Sequence, residues 1–362
     1  MLTKFAVTNY RGFEKRIEFD LEAVKNYEFS TFAIKNDVIK NGIIYGPNGS
    51  GKSNFALAIF DIVNHLTQKI KKPDYYVNFT HLAHRDMPVE FEYYFKFDNN
   101  KVFYKYRKNG RGILIYEELV VDGKTIFTKE SDYVELYDNF SITQAMKEEI
   151  ETSDNNISMI NFIMSSYPLQ KDHYLIRLCN FVDNMLFFRN TEENEFIGLK
   201  SKGESTHECI IKNNLLEDFA DFLKEVSGQS FKFLSADNNL LVDIDGNTTL
   251  FNIIESTGTR SLTLLYFWYK NISDASFVFV DEFDAFYHFD LAFKVCQLLF
   301  KHDCQLFLSS HNTYLMTNDL LRPDCNFILD QNVIKPLYKC TDKELRFGHN
   351  IEKLFRGGTF NV

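Results

Sequence analysis

No apolar run in these 362 residues approaches the roughly 18 that a helix needs to cross a bilayer. Leu262–Tyr269, among the most apolar stretches, is bounded by Arg260 and Lys270. The start, Met1-Leu2-Thr3-Lys4-Phe5, has neither the apolar core nor the cleavage site of a secretion signal, so a cytoplasmic location is expected. The six cysteines include no Cys-x-x-Cys pair, which points to buried thiols in a reducing compartment rather than disulfides or a zinc site. An excess of basic charge is missing as well. The formal net charge is −10, from 40 basic and 50 acidic residues, which argues against a protein that coats nucleic acid. Lys69-Lys71-Lys72 and Lys105-Arg107-Lys108-Arg111 are the candidates for a local basic groove, and both read as solvated surface. No heptad pattern is sustained, so a long coiled coil is not expected, and there is no internal repeat or low-complexity tract.

What the chain does have is aromatic mass. Its 37 Phe, 19 Tyr and single Trp can bury far more area than a disordered chain would. Gly42–Tyr45 reads as a short buried strand running into a glycine-rich turn. From Lys52, Phe55, Ile59, Ile62, Leu66 and Ile70 recur at three-to-four spacing, predicting one amphipathic helix that Lys71-Lys72-Pro73 ends. Val89–Phe127 alternates between turns at Asp98-Asn99-Asn100, Asn109-Gly110 and Asp122-Gly123, the pattern of an antiparallel meander. Residues 141–227 read as several helices, Leu215–Val226 the clearest. Helix Ser261–Lys270, strand Phe277–Val280, helix Leu291–Phe300 and strand Gln305–Leu308 then follow. Wholly apolar strands alternating with helices make a parallel sheet covered on both faces. The expected fold is α/β, its sheet built from the two ends of the chain with residues of about 75–250 inserted. That divides the chain into lobes at 1–75 and 231–362, a β segment at 76–130 and a helical insertion at 131–230.

The turn after Tyr45 is Gly46-Pro47-Asn48-Gly49-Ser50-Gly51-Lys52-Ser53, a full match to the phosphate-binding P-loop in its required strand–loop–helix setting. Glycines let successive backbone N–H groups turn onto phosphate oxygens, and the helix start adds a positive dipole end. Lys52 is expected to reach the β- and γ-phosphates of ATP, and the Ser53 hydroxyl to ligate Mg²⁺. Phe277–Val280 ends in Asp281-Glu282. Asp281 can hold the Mg²⁺ through water, and Glu282 can accept a proton from the attacking water. Strand Gln305–Leu308 ends in Ser309-Ser310-His311, on the sheet edge where ligands gather. His311 is read as sensing or polarising the γ-phosphate, a capped loop residue being the alternative.

These motifs, with Ser256-Thr257-Gly258-Thr259-Arg260 ahead of the carboxylate strand, resemble the ABC/SMC class of ATPases. More narrowly, the chain is similar to the bacterial AAA-named ATPases of abortive-infection and anti-phage loci, of the PARIS and AbiL type. The residues carrying that likeness are Asn9-Tyr10-Arg11-Gly12-Phe13, Glu255–Thr259, the serine–histidine switch at His311 and Leu320-Leu321-Arg322. The resemblance implies a P-loop NTPase head: a mixed sheet flanked by helices, split by an insertion with a β-meander and a helical subdomain. It implies a homodimer or larger assembly in which Ser256 and Gly258 of one copy cap the γ-phosphate on the other's P-loop, with Arg11 near the nucleotide. It further implies a separate effector, such as a Toprim-like nuclease, because too few residues follow His311 to form such a domain. Asp284 and His288 fall in the region expected at the dimer interface. No glutamine stands where these ATPases carry one between the first helix and the meander; His81 and His84 lie there instead, without further residues at metal-ligand spacing. Two other readings stay open, a DNA-clamp ATPase of the repair type and a small-molecule kinase. Net charge and the missing coiled coil count against the first, the second carboxylate and the signature loop against the other.

Overall fold

Alternation of apolar and polar residues builds one sheet and continuous apolar runs build the other. The computed structural model describes residues 1–22, 24–67, 69, 73–130, 133–137, 157–190, 194–199, 205–330 and 332–361. The chain opens with β1 (Leu2–Thr8) and β2 (Ile17–Asp20), a two-residue pair β3 (Ile34–Lys35) and β4 (Val38–Ile39), and β5 (Asn41–Tyr45). The meander follows as β6 (Val89–Phe97), β7 (Asn100–Lys108), β8 (Leu114–Val121), β9 (Lys124–Glu130) and β10 (Tyr133–Leu136). These meander strands join the N-terminal pair in an antiparallel sheet of order β10-β9-β8-β7-β6-β1-β2. In β7 the side chains of Val102, Tyr104 and Tyr106 are buried while Lys101, Phe103, Lys105 and Arg107 lie on the other face, the period of two that a half-buried strand requires.

The second sheet takes strands from further along: β11 (Met185–Asn190), β12 (Asn194–Gly198), β16 (Phe277–Asp281), β17 (Gln305–Ser310), β18 (Asn326–Asp330) and β19 (Val333–Pro336). Its order is β12-β11-β16-β17-β5-β18-β19. The five inner strands are mutually parallel, and β12 and β19 close the edges antiparallel. Every residue of β5, β16 and β17 is buried, as parallel strands covered on both faces must be. A small antiparallel sheet of β13 (Lys232–Ala236), β14 (Asn239–Ile244) and β15 (Asn247–Leu250) precedes helix Thr257–Asn271.

Two expectations about the secondary structure need correction. The parallel sheet is not built from the chain ends alone, because β11, from the middle, pairs with β16 from Met185↔Phe277 to Arg189↔Asp281. Its apolar run Met185–Phe188 is too short to separate from a helix segment by periodicity. The helix after the P-loop is two helices, α1 (Lys52–Ile59) and α2 (Asp61–Leu66), broken at Phe60. Phe60 leaves the helical region (φ −87°, ψ 0°) and packs its ring on Phe187 and Phe277. The expected continuation at Ile70, Lys71 and Lys72 lies outside the described residues. Among the described residues no helix is long and apolar enough to cross a membrane.

Aromatic edges join the sheets: the Phe19 ring of β2 meets Phe55 of α1, Phe307 of β17 and Phe327 of β18. Gln305 adds a polar tie, accepting from the Leu2 N–H (2.7 Å) and donating to the Leu2 carbonyl (2.8 Å). Lys108, expected at the surface, is instead buried, its Nζ donating to Asp61 Oδ2 (2.6 Å). Tyr106 and Tyr75 also donate to that carboxylate, so the start of α2 is pinned to the meander. Lys105 and Arg107 pair with Glu90, which leaves little of that basic run to face a nucleic acid. Removing one partner of a buried pair leaves an uncompensated charge. Asp61→Ala is therefore expected to lower the unfolding free energy by about 3–5 kcal/mol in urea titrations, and Asp61→Leu with Lys108→Met to recover most of it.

Candidate nucleotide site

Parallel register brings three strand ends together. Ser310↔Tyr45 pairs the ends of β17 and β5, and Val280↔Leu308 aligns β16 beside them, so the segments leaving β5, β16 and β17 emerge at one carboxyl edge. The loop from β5 to α1 turns sharply. A side chain at Gly46 would place its Cβ 2.5 Å from the Leu329 carbonyl oxygen, so only glycine lets the loop pass that close to β18. Gly51 takes φ +98°, a left-handed value that glycine adopts without strain, and starts α1 directly. Pro47, Asn48 and Gly49 are exposed at the tip, and Ser50 Oγ is buried without a hydrogen-bond partner among the described residues. Ser53 follows Lys52 in the first turn of α1.

The Lys52 side chain folds back over the loop, its Nζ donating to the carbonyls of Gly46 (2.8 Å) and Pro47 (3.1 Å). It also lies 3.3 Å from His311 Nδ1. Burial lowers the Lys52 pKa, opposed by the charges of Asp281, Glu282 and Asp284. The His311 imidazole is likewise held below its ordinary value, first by partial desolvation and then by the Lys52 ammonium, so the ring is neutral at pH 7.

Asp281 is completely buried at the end of β16. Its Oδ1 accepts from Ser309 Oγ (2.6 Å) and its Oδ2 from Arg189 Nε (3.2 Å). Ser309 Oγ in turn accepts the Glu282 backbone N–H (2.8 Å). One hydroxyl on β17 thus fixes Asp281 at the end of β16 and the Glu282 backbone just after it. Glu282 sits at φ +51°, in a region that costs a non-glycine residue roughly 1–2 kcal/mol, a backbone strain that concentrates at functional sites. Asp284 accepts from Ser310 Oγ (2.7 Å), and burial raises its pKa.

The structure therefore gathers Gly46–Ser53, Asp281, Glu282 and His311 at one edge. Arg11 lies beside them, with Nη1 donating to Asn54 Oδ1 of α1 (3.3 Å) and Nη2 to the Tyr75 carbonyl (3.2 Å). Its Nε is buried and without a partner among the described residues. Ser256 caps helix Thr257–Asn271, accepting the Thr259 N–H (3.2 Å), and Gly258 faces the Phe286 carbonyl. Their loop contacts the segment after the carboxylates. It is linked to the carboxylate turn through Tyr287, whose hydroxyl meets Ser261 Oγ (2.8 Å) and Asn190 Nδ2 (2.9 Å), while Asn190 also donates to the Phe283 carbonyl. His288 caps the next helix, accepting the Leu291 N–H. His81 caps a short turn and His84 meets Glu14 at 3.0 Å; among the described residues no group of three metal-ligating side chains forms. Arg189 and Asn190 carry no signal in the sequence, because the strand that places them has too short an apolar run to be told from a helix segment. Ser309 stands directly before Ser310-His311 and was legible only as part of that run.

The donors suit a magnesium nucleotide. Gly49 stands at the exposed tip of the loop, where an added Cβ would meet nothing within 4 Å. The hard-oxygen donors Ser53 and Asp281 are those Mg²⁺ prefers. The solved structures similar to this chain include the SMC head bound to the C-terminal winged-helix domain of ScpA, at 15% identity over 92% of this chain and 97% of that chain with a TM-score of 0.47. They also include the SMC head domain from Thermotoga maritima, at 15% identity over 92% of this chain and 97% of that chain with a TM-score of 0.42. The recombination mediator protein RecF is similar at 13% identity over 93% of this chain and 98% of that chain, with a TM-score of 0.42. No curated protein matches the sequence. A family model described as "AAA domain, putative AbiEii toxin, Type IV TA system" matches residues 43–317, from β5 through the turn after His311. The chain belongs to this AAA_21 family.

Proposed function

We propose that this chain hydrolyses Mg²⁺–ATP between the heads of two copies and acts as the switch subunit of an anti-phage defence system, controlling a separate effector. The observation that carries the proposal is the convergence of Lys52, Asp281, Glu282 and His311 at one sheet edge, with Ser309 locking Asp281 and the Glu282 backbone in place. The P-loop N–H groups and the start of α1 bind the phosphates, and Lys52 exchanges the Gly46 and Pro47 carbonyls for β- and γ-phosphate oxygens. Ser53 and Asp281 would hold Mg²⁺, which would supply positive charge against the phosphates. Glu282 accepts a proton from the water whose oxygen attacks the γ-phosphorus as the bond to ADP breaks. His311, neutral beside Lys52, orients the γ-phosphate by hydrogen bonding. Arg11, held against α1 through Asn54, lies beside the nucleotide.

Ser256 and Gly258 act on the nucleotide of the second copy. Exposed apolar side chains around them support that reading: Ile253, Ile254 and Phe286 flank the loop, a patch suited to contact with another protein surface. The family description names a toxin of a toxin–antitoxin system, which is compatible with a defence role exercised through an effector such as a Toprim-like nuclease.

Glu282→Gln is expected to retain ATP binding, lose turnover by about a hundredfold or more, and accumulate an ATP-bound dimer in sedimentation runs. Normal phosphate release by that variant would remove Glu282 from its role. Lys52→Ala should abolish both nucleotide binding and ATP-driven dimerisation in calorimetry and sedimentation; unchanged affinity would contradict the site. The sign of the His311 shift gives a pH test. The unfolded chain takes up the proton near pH 6.5 and the folded one only lower, so His311 costs stability as pH falls below 6.5. His311→Gln is expected to shrink the acid-side fall in melting temperature while slowing hydrolysis; an identical acid profile would show that the imidazole does not titrate as described.

A further inference from the structure

Both oxygens of Asp281 are already engaged. Oδ1 accepts from Ser309, whose hydroxyl is held in place by the Glu282 N–H, so that contact is fixed by the backbone of the neighbouring strand. Oδ2 accepts from Arg189 Nε, and the register that pairs Arg189 with Asp281 across β11 and β16 makes this contact a product of the fold. Arg189 has a second acceptor. Its Nη1 donates to Glu195 Oε2 (2.9 Å) on the edge strand β12, which lies opposite it in the β11–β12 ladder. The guanidinium thus bridges a completely buried carboxylate and a partly exposed one, and is itself 28% exposed. A fully buried carboxylate needs a counter-charge, and Arg189 supplies it. A divalent cation at the same carboxylate would stand close to that positive charge, in a region of reduced dielectric where like charges repel strongly. Between Ser309 and Arg189, only the arginine has another carboxylate to turn to.

We propose that Arg189 is a positioning residue for the metal site: it acts as the resident counter-cation of Asp281, yields Oδ2 to Mg²⁺, and withdraws to Glu195. The threshold for loading Mg²⁺ is then set by a competition between Arg189 and the metal. This rests on the reading of Asp281 as a holder of Mg²⁺.

The test measures binding, not turnover. A fluorescent ATP analogue is bound to the full chain while Mg²⁺ is titrated, and the concentration giving half-maximal retention is compared among variants. Arg189→Met should need about tenfold less Mg²⁺ than the wild type, because the competing cation is gone. Glu195→Gln should need several-fold more, because Arg189 loses its alternative counter-charge and stays on Asp281. Opposite signs from two residues of one ion pair are not the result of general loosening, which would weaken both. The proposal is overturned if Arg189→Met, folded by circular dichroism, needs as much Mg²⁺ as the wild type or more. Should that variant fail to fold, Glu195→Gln decides alone, and an unchanged or lowered Mg²⁺ requirement there overturns it. A wild-type chain whose retention is indifferent to Mg²⁺, and unaffected by Asp281→Asn, would instead sink the underlying metal assignment.

Discussion

A single hydroxyl connects the chemistry of this protein to its sheet. Ser309, near the end of β17, donates to the buried Asp281 side chain and accepts the Glu282 N–H, so Asp281 and the Glu282 backbone that follows it keep a fixed position relative to the strand leading to His311. That bond exists only because β16 and β17 run parallel and in the register Val280↔Leu308. The same register, continued through Ser310↔Tyr45, sets the P-loop beside them. The site is thus a consequence of sheet geometry: the loops need little stability of their own, because each leaves a strand whose direction is already determined.

Charge is managed by pairing throughout. The Asp61–Lys108 pair fastens α2 to the meander, and since α1 and α2 continue from the P-loop, the antiparallel sheet braces the element that carries Lys52. Within the site, Lys52 rests on two backbone carbonyls and His311, and Asp281 rests on Ser309 and Arg189. Each of these groups has its polar capacity met by the chain itself. On the proposed reading a nucleotide and its metal exchange those internal contacts for external ones, which keeps the net cost of opening the site small.

Much of this was legible in the sequence because the signals were local. Gly46–Ser53 carries its own turn chemistry, and the apolar runs before Asp281 and Ser309 announce buried parallel strands. The meander was legible for the same reason, its turns and alternation lying within a few residues of one another. What escaped depends on tertiary pairing. Met185–Asn190 is a strand because β16 accepts it as a neighbour, and its short apolar run has no period to distinguish it from the helices around it. With it went Arg189, whose importance comes wholly from lying across from Asp281. Lys108 was misplaced for a related reason: a lysine in a basic run reads as surface, and only the three-dimensional approach of Asp61 makes its burial tolerable. The break at Phe60 is likewise set by the ring's contacts with β11 and β16.

The most direct test of the central claim is a crystal structure with a non-hydrolysable ATP analogue and Mg²⁺. The account predicts the triphosphate wrapped by residues 46–53, with Lys52 Nζ moved from the Gly46 and Pro47 carbonyls onto phosphate oxygens and the cation between Ser53 and Asp281. A triphosphate bound away from this loop, with Lys52 still on its two carbonyls, would contradict it.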